Sequence, residues 1–236
     1  MKMSAGDFQR ATKDLAERCL AKFDDAGAST DLRDFSLSIM ISQISNGNKA
    51  MLAYVPQICQ RLGDPAVLKQ PAAVGTSEDF HCQMINAVSV IFGSQQENLA
   101  RVWFGPVVQY LVELVACEDV ETASLACEFW SQYCDKPMSV AAVREPWLAA
   151  FKPHLPNLIA SLMDQMILRE DAEVSSFDTL RQRAAAAFEC VARVCPSELV
   201  CSAFGPLMEK RIKSNSWSEK EAAIRALRSF TRTTGQ

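Results

Sequence analysis

Histidine is almost missing from this chain of 236 residues, which has two, His81 and His154. Any chemistry that relies on an imidazole must use one of them. His154 sits between two prolines in FKPHLPNLI at a helix start, and His81 stands beside Cys82. Adjacent residues on a helix do not face each other, so His81 and Cys82 make no nucleophile–base pair. Glycine is also thinly spread: nine are scattered along the chain, and none forms GxGxxG or a Walker-type phosphate loop. The nine cysteines, at 19, 59, 82, 117, 127, 134, 190, 195 and 201, include no CxxC pair and are odd in number. Neither a disulfide framework nor a zinc site follows from that spacing. No apolar run nears the roughly 18 residues needed to cross a bilayer, so no membrane insertion is expected. The start, MKMSAGDFQR, has neither a signal's hydrophobic stretch nor an Arg-rich targeting character.

These absences argue against an enzyme. No catalytic residue, cofactor site or metal ligand is assigned, and no cofactor is expected. The carboxylates Glu170, Asp171 and Glu173 are clustered, but no partner acid or base lies near them in sequence.

What is present is the composition of a globular protein, 49% apolar and 22% charged. The formal net charge is −4, yet residues 201–236 carry seven Lys or Arg against three Glu. That basic end reads as a solvated face, with no direct nucleic-acid partner expected. Most cysteines lie in apolar stretches, where a free thiol behaves as a small hydrophobe. A reducing compartment, cytoplasm or nucleus, is the expected location.

Helical periodicity dominates, and no two-residue alternation bounded by hairpin turns is found. Helices are predicted at about 6–23, 32–45, 49–62, 79–93, 97–116, 120–134, 146–167, 179–195, 198–213 and 217–231. In the first, Phe8, Leu15, Cys19, Leu20 and Phe23 lie near one stripe; in the second, Leu32, Phe35, Ile39 and Ile44 do. Most connections are short; the longer ones are Gly63–Ser77 and about Arg169–Asp178.

Internal repetition decides the architecture. Prolines recur at 56, 106, 156 and 206, and Phe104-Gly105-Pro106 returns as Phe204-Gly205-Pro206. Fifteen residues after each of those two prolines, ETASLACEFW (121–130) aligns without gaps on EAAIRALRSF (221–230). A separation of one hundred is two periods of about fifty, and LRQRAAAAFECVARV (180–194) supplies the intervening copy. Proline is tolerated in a helix's first turn. Ala123, Ala126, Ala185, Ala186, Ala222 and Ala223 let paired helices approach, while Leu125, Phe129, Phe188 and Leu227 fill the space between pairs. Such a pair cannot bury its apolar face alone and gains stability by stacking. The expected fold is all-α, a HEAT-repeat α-solenoid over residues 1–236, with helix pairs at about 5–46, 49–94, 97–134, 139–195 and 198–231. An exposed aromatic on such a surface grips an extended peptide, and Trp130 is the candidate for that. Trp217 is expected to staple neighbouring repeats.

The stretch ACEFWSQYCDKP (126–137) resembles the karyopherin-β nuclear transport receptors, the transportin branch in particular. HLPNLIASLM (154–163), LRQRAAAAFECVARV and WSEKEAAIRALRSF (217–230) continue the resemblance in order, so that it spans about 97–231. The resemblance implies a receptor segment that carries cargo with nuclear localisation signals past nucleoporins, under control of the GTPase Ran. It also implies that second helices line a concave face and that an acidic loop couples GTPase binding to cargo release. Here the corresponding loop, REDAEVSSFD (169–178), has only four acidic residues. Family members are several-fold longer, so the chain is expected to be a fragment. The protein-binding candidates are Glu118, Asp119 and Glu121 at a second helix's start, the loop residues Glu170, Asp171 and Glu173, and Trp130. The alternative is a HEAT-repeat scaffold or adaptor without a transport role.

Overall fold

The fold was established from a computed structural model, which describes residues 4–25, 27–62, 77–94, 104–135, 148–149, 151–168 and 174–234. Among these, all regular structure is helical, and the fold is the all-α helical-repeat class that the periodicity predicts. No helix among the described residues is long and apolar enough to cross a membrane. Contacts divide the chain into two compact units, Met1–Pro106 and Val107–Gln236.

The first unit contains α1 (Ala5–Asp24), α2 (Thr30–Ser45), the single turn α3 (Lys49–Leu52), α4 (Val55–Leu62) and α5 (Ser77–Ser94). The starts of α1, α2 and α3 are each marked by a short polar side chain that accepts from an otherwise orphaned amide. Ser4 takes Asp7 N–H at 3.1 Å, Ser29 takes Leu32 N–H at 3.3 Å, and Asn48 takes Ala50 N–H at 3.1 Å. Gly47, at φ +72°, makes the left-handed turn that ends α2 and admits α3. Helix α2 packs on both α1 and α5. The predicted stripe on α2 is rotated: Phe35 is 64% exposed and Leu32 is exposed too. The buried face is Leu37, Met40, Ile41 and Ile44, spaced i, i+3, i+4, i+7, because α2 is contacted from two sides. Phe8 of α1 is likewise exposed, whereas Cys19, Leu20 and Phe23 are buried.

The second unit opens within α6 (Phe104–Val115) and continues with α7 (Val120–Asp135), a 3₁₀ turn at Lys152–His154, α8 (Leu155–Gln165), α9 (Val174–Val194), α10 (Ser197–Ile212) and α11 (Trp217–Thr234). Helix α9 lies against α7 on one side and α11 on the other, so the second helices form a row. The first helices α8 and α10 pack together behind it, α8 also meeting α9 and α10 meeting α11. Four of the six alanines expected to let helices approach do so: Ala123 and Ala126 on α7 and Ala222 and Ala223 on α11 are inaccessible, whereas Ala186 on α9 is exposed and Ala185 half-buried, because that stretch of α9 faces the groove toward α11. Phe188, Phe204 and Phe230 form one aromatic run, with ring centroids 5.2 and 5.6 Å apart.

The fifty-residue period also appears in the hydrogen bonds. A helix leaves its last carbonyls without intrahelical donors, and here the next pair, or the partner helix of the same pair, supplies them. Gln165 Nε2 donates to Val115 O at 2.8 Å, fifty residues back, and closes α6. Arg211 Nη1 donates to Met163 O at 2.9 Å, forty-eight residues back, and Arg181 Nε donates to Met166 O at 3.0 Å. Both arginines are buried, and each also holds a carboxylate, Asp164 for Arg211 and Glu221 for Arg181.

Two sequence expectations fail at the level of register. Pro56 and Pro156 stand second in α4 and α8, but Pro206 lies in the interior of α10. Ser202, whose carbonyl loses its partner because Pro206 has no N–H, is exposed to water, and a preceding residue without Cβ avoids the usual clash with the proline ring. Helix α9 begins at Val174, not near 179, so the connection from α8 spans only 166–173. The Gln182–Asp178 and Arg181–Asp178 contacts lie along that added turn.

Candidate functional site

The row α7–α9–α11 carries exposed charged side chains, among them Glu121, Arg228 and Arg232. At the start of α7, Asp119 accepts Thr122 N–H through Oδ2 at 2.6 Å and so caps the helix, while Glu118 and Glu121 are exposed beside it. The structure therefore brings these predicted residues together, with Asp119 committed to the backbone. Glu170, Asp171 and Glu173 lie outside the described residues.

Trp130 is not a peptide grip. It is completely buried, its ring 5.1 Å from Phe151 and 5.5 Å from Phe129. The physical reason is its place on the face of α7 that carries Ala123 and Ala126, which the neighbouring helices cover. Trp217 is corrected in the opposite direction: it is 71% exposed and staples nothing. It projects from the side of α11 opposite Ala226, nine residues on and half a turn around. Ile224 and Leu227 are exposed on that outer side as well, so Leu227 does not fill a space between pairs.

Farther along the row, α7 and α9 are joined by Arg183, which meets Glu128 at 3.2 Å and Ser124 Oγ at 2.9 Å. Between α9 and α11 runs a groove of about 260 Å³. Its α11 wall carries Arg225, Arg228 and Arg232; its α9 side carries Gln182 and Glu189, with Ala185 and Ala186 between them. Sequence reasoning missed these arginines as a site. Their i, i+3, i+7 spacing was visible, but the facing residues are about forty positions away in the chain.

Burial governs the thiols. Cys59, Cys127 and Cys195 are each pushed up to about 12 by desolvation, for Cys127 against a smaller opposing pull from Arg183. Cys201 is exposed. Thiolate, not thiol, is the nucleophile, so native alkylation should label Cys201 well before those three, with denaturant abolishing the difference. Mass spectrometry of the peptides reads this directly, and equal native labelling of Cys127 and Cys201 would contradict the packing of α7. Among the described residues no group of three or more His, Cys, Asp or Glu is placed to hold a metal ion.

No protein-family model matches the chain, and no curated protein is significantly similar in sequence. Solved structures are similar in fold. One engineered protein of the Northeast Structural Genomics Consortium matches at 15% identity over 98% of this chain and 95% of its own, with TM-score 0.57. A second matches at 15% identity over 99% and 94%, with TM-score 0.54. A designed armadillo repeat protein in complex with a (KR)4 peptide covers 92% of this chain and 99% of its own at 14% identity, but with TM-score 0.40, too slight a likeness to bear on this chain. At these identities the likeness is one of fold.

Proposed function

We propose that this helical-repeat protein is a binding scaffold that meets partner proteins along the row α7–α9–α11, and that it serves as a segment of a karyopherin-β-type nuclear import receptor. The observation that carries the scaffold reading is the row itself. Its small and aromatic inward residues are consumed by packing, and charged side chains meet across neighbouring helices of the row, Arg183 with Glu128 and Arg232 with Glu189. The transport reading rests on the ordered resemblance over 97–231 and on the exposed acids Glu118 and Glu121 at the start of α7. Ran, cargo signals and nucleoporins are the partners it entails, and shuttling between cytoplasm and nucleus is the location. On this reading the protein binds and does not catalyse.

A plain scaffold without a transport role is favoured by the short α8–α9 connection, which leaves room for only a few acidic residues. Titration with Ran in both nucleotide states separates the two. A transport segment should prefer the GTP form, with a dissociation constant of about micromolar or weaker because avidity from further repeats is lost. Glu118→Lys with Glu121→Lys should reduce that binding, and more so at low salt. Equal affinity for both nucleotide states would leave the scaffold without the transport role.

A further inference from the structure

The groove between α9 and α11 holds more positive charge than the fold compensates. Arg225, Arg228 and Arg232 share one stripe of α11, which rises about 10 Å from the first to the last. Two of them have claims on a carboxylate, but neither claim is complete. Arg225 reaches Glu221 at 3.0 Å, yet the other oxygen of Glu221 holds Arg181, a buried cation that needs the charge more. Arg232 meets Glu189 only at 3.9 Å, with both groups partly exposed, a geometry worth little in water. Among the described residues the Arg228 guanidinium makes no hydrogen bond or ion pair. The lining of the groove has three cations against the single anion Glu189, and Glu221 beside it is shared between Arg225 and Arg181, which Asp178 also meets at 3.7 Å.

The shape and surroundings narrow the occupant. The groove has a volume of about 260 Å³, and the small Ala185 and Ala186 on its α9 side let a polypeptide main chain come close. An extended segment advances about 3.3 Å per residue, so a few residues run the length of the arginine stripe and place alternate side chains on it. A guanidinium prefers a planar carboxylate, which it grips through two parallel N–H donors. A long polyanion is disfavoured. The chain has a net charge of −4, and the exposed Glu121 and half-buried Glu128 on neighbouring α7 repel a nucleic acid laid along the row.

We propose that the α9–α11 groove binds an acidic, extended segment of a partner protein, pairing Asp or Glu carboxylates with Arg228, Arg232 and Arg225. This rests on reading the second-helix row as a binding face, and it is independent of the transport role.

The test is fluorescence anisotropy of the full chain with a labelled Glu-Ser repeat peptide, its Gln-Ser counterpart, and single-stranded polythymidylate. The acidic peptide should bind about tenfold or more tightly than the Gln peptide, and Arg228→Glu or Arg232→Glu should weaken it about tenfold. Both sites are exposed, so circular dichroism should be unchanged. Glu118→Lys with Glu121→Lys, which tests the transport surface, should leave acidic-peptide binding in place, so the two readings fail separately. Equal binding of the acidic and Gln peptides overturns the proposal. So does acidic-peptide binding indifferent to Arg228→Glu with Arg232→Glu, and so does tighter binding of the polynucleotide.

Discussion

Trp130→Ala should destabilise the second unit by about 3–5 kcal/mol, the range for emptying a large buried aromatic site. Trp130 has no accessible surface and packs between Phe129 and Phe151, whose rings come from α7 and from the residue that opens the 3₁₀ turn before α8. A deletion there opens a void that helices held in a two-layer stack can only partly close. Trp130→Phe is the informative companion. It keeps an aromatic ring against Phe151 and removes the indole N–H, which has no acceptor among the described residues. A buried donor left unpaired costs about 1–3 kcal/mol, so the phenylalanine variant should recover most of the loss. Urea unfolding with hydrogen exchange gives both quantities. Loss of protection should centre on α7 and α8; a cost for Trp130→Ala below about 1 kcal/mol would mean the site is not packed as described.

Arg181→Ala should cost about 3–5 kcal/mol. This side chain ties three helices together: from α9 it donates to Met166 O at the end of α8 and holds Glu221 on α11. Removing it strips the α8 terminus of a donor and leaves Glu221 to Arg225 alone. Arg181→Met separates the contributions, because it fills the space without the charge and leaves only the carbonyl bare, at about 1–3 kcal/mol. A double-mutant cycle with Glu221→Gln should show a coupling of about 0.5–3 kcal/mol, since the two groups are in contact. If the Arg181→Ala loss were no larger than that of an exposed arginine such as Arg228, the capping role would be wrong.

The residues that misled are as informative as those that did not. Trp217 and Trp130 look alike in the sequence, each an aromatic in an amphipathic helix of the repeat, yet one is exposed and the other buried. A single helix has several apolar arcs, and which of them is covered depends on how many neighbours it has. Helix α2 shows the same effect: of the expected stripe Leu32, Phe35, Ile39 and Ile44 only Ile44 is buried, and Leu37, Met40 and Ile41 are buried with it where α1 and α5 pack on the helix. Of the candidate site, the acidic start of α7 was legible because a cap and its neighbours are contiguous in sequence. The arginine groove was not, because it exists only where α9 lies against α11.

The sequence by itself determined the all-α class, the fifty-residue period, most helix bounds and the small inward residues, because each is a property of one helix or of one repeat matched to another. Local periodicity and capping act over three to four residues, and they are written into any window of that length. Only the tertiary structure decided which apolar stripe turns inward, that Gln165 and Arg211 close helices of the preceding repeat while Arg181 closes α8 within its own, and which face carries unneutralised charge. Those outcomes depend on pairings between residues fifteen to fifty positions apart. Their physical cause is competition: each buried carbonyl and each carboxylate goes to the cation or amide that packing brings within reach, and what is left over, as at Arg228, faces the solvent.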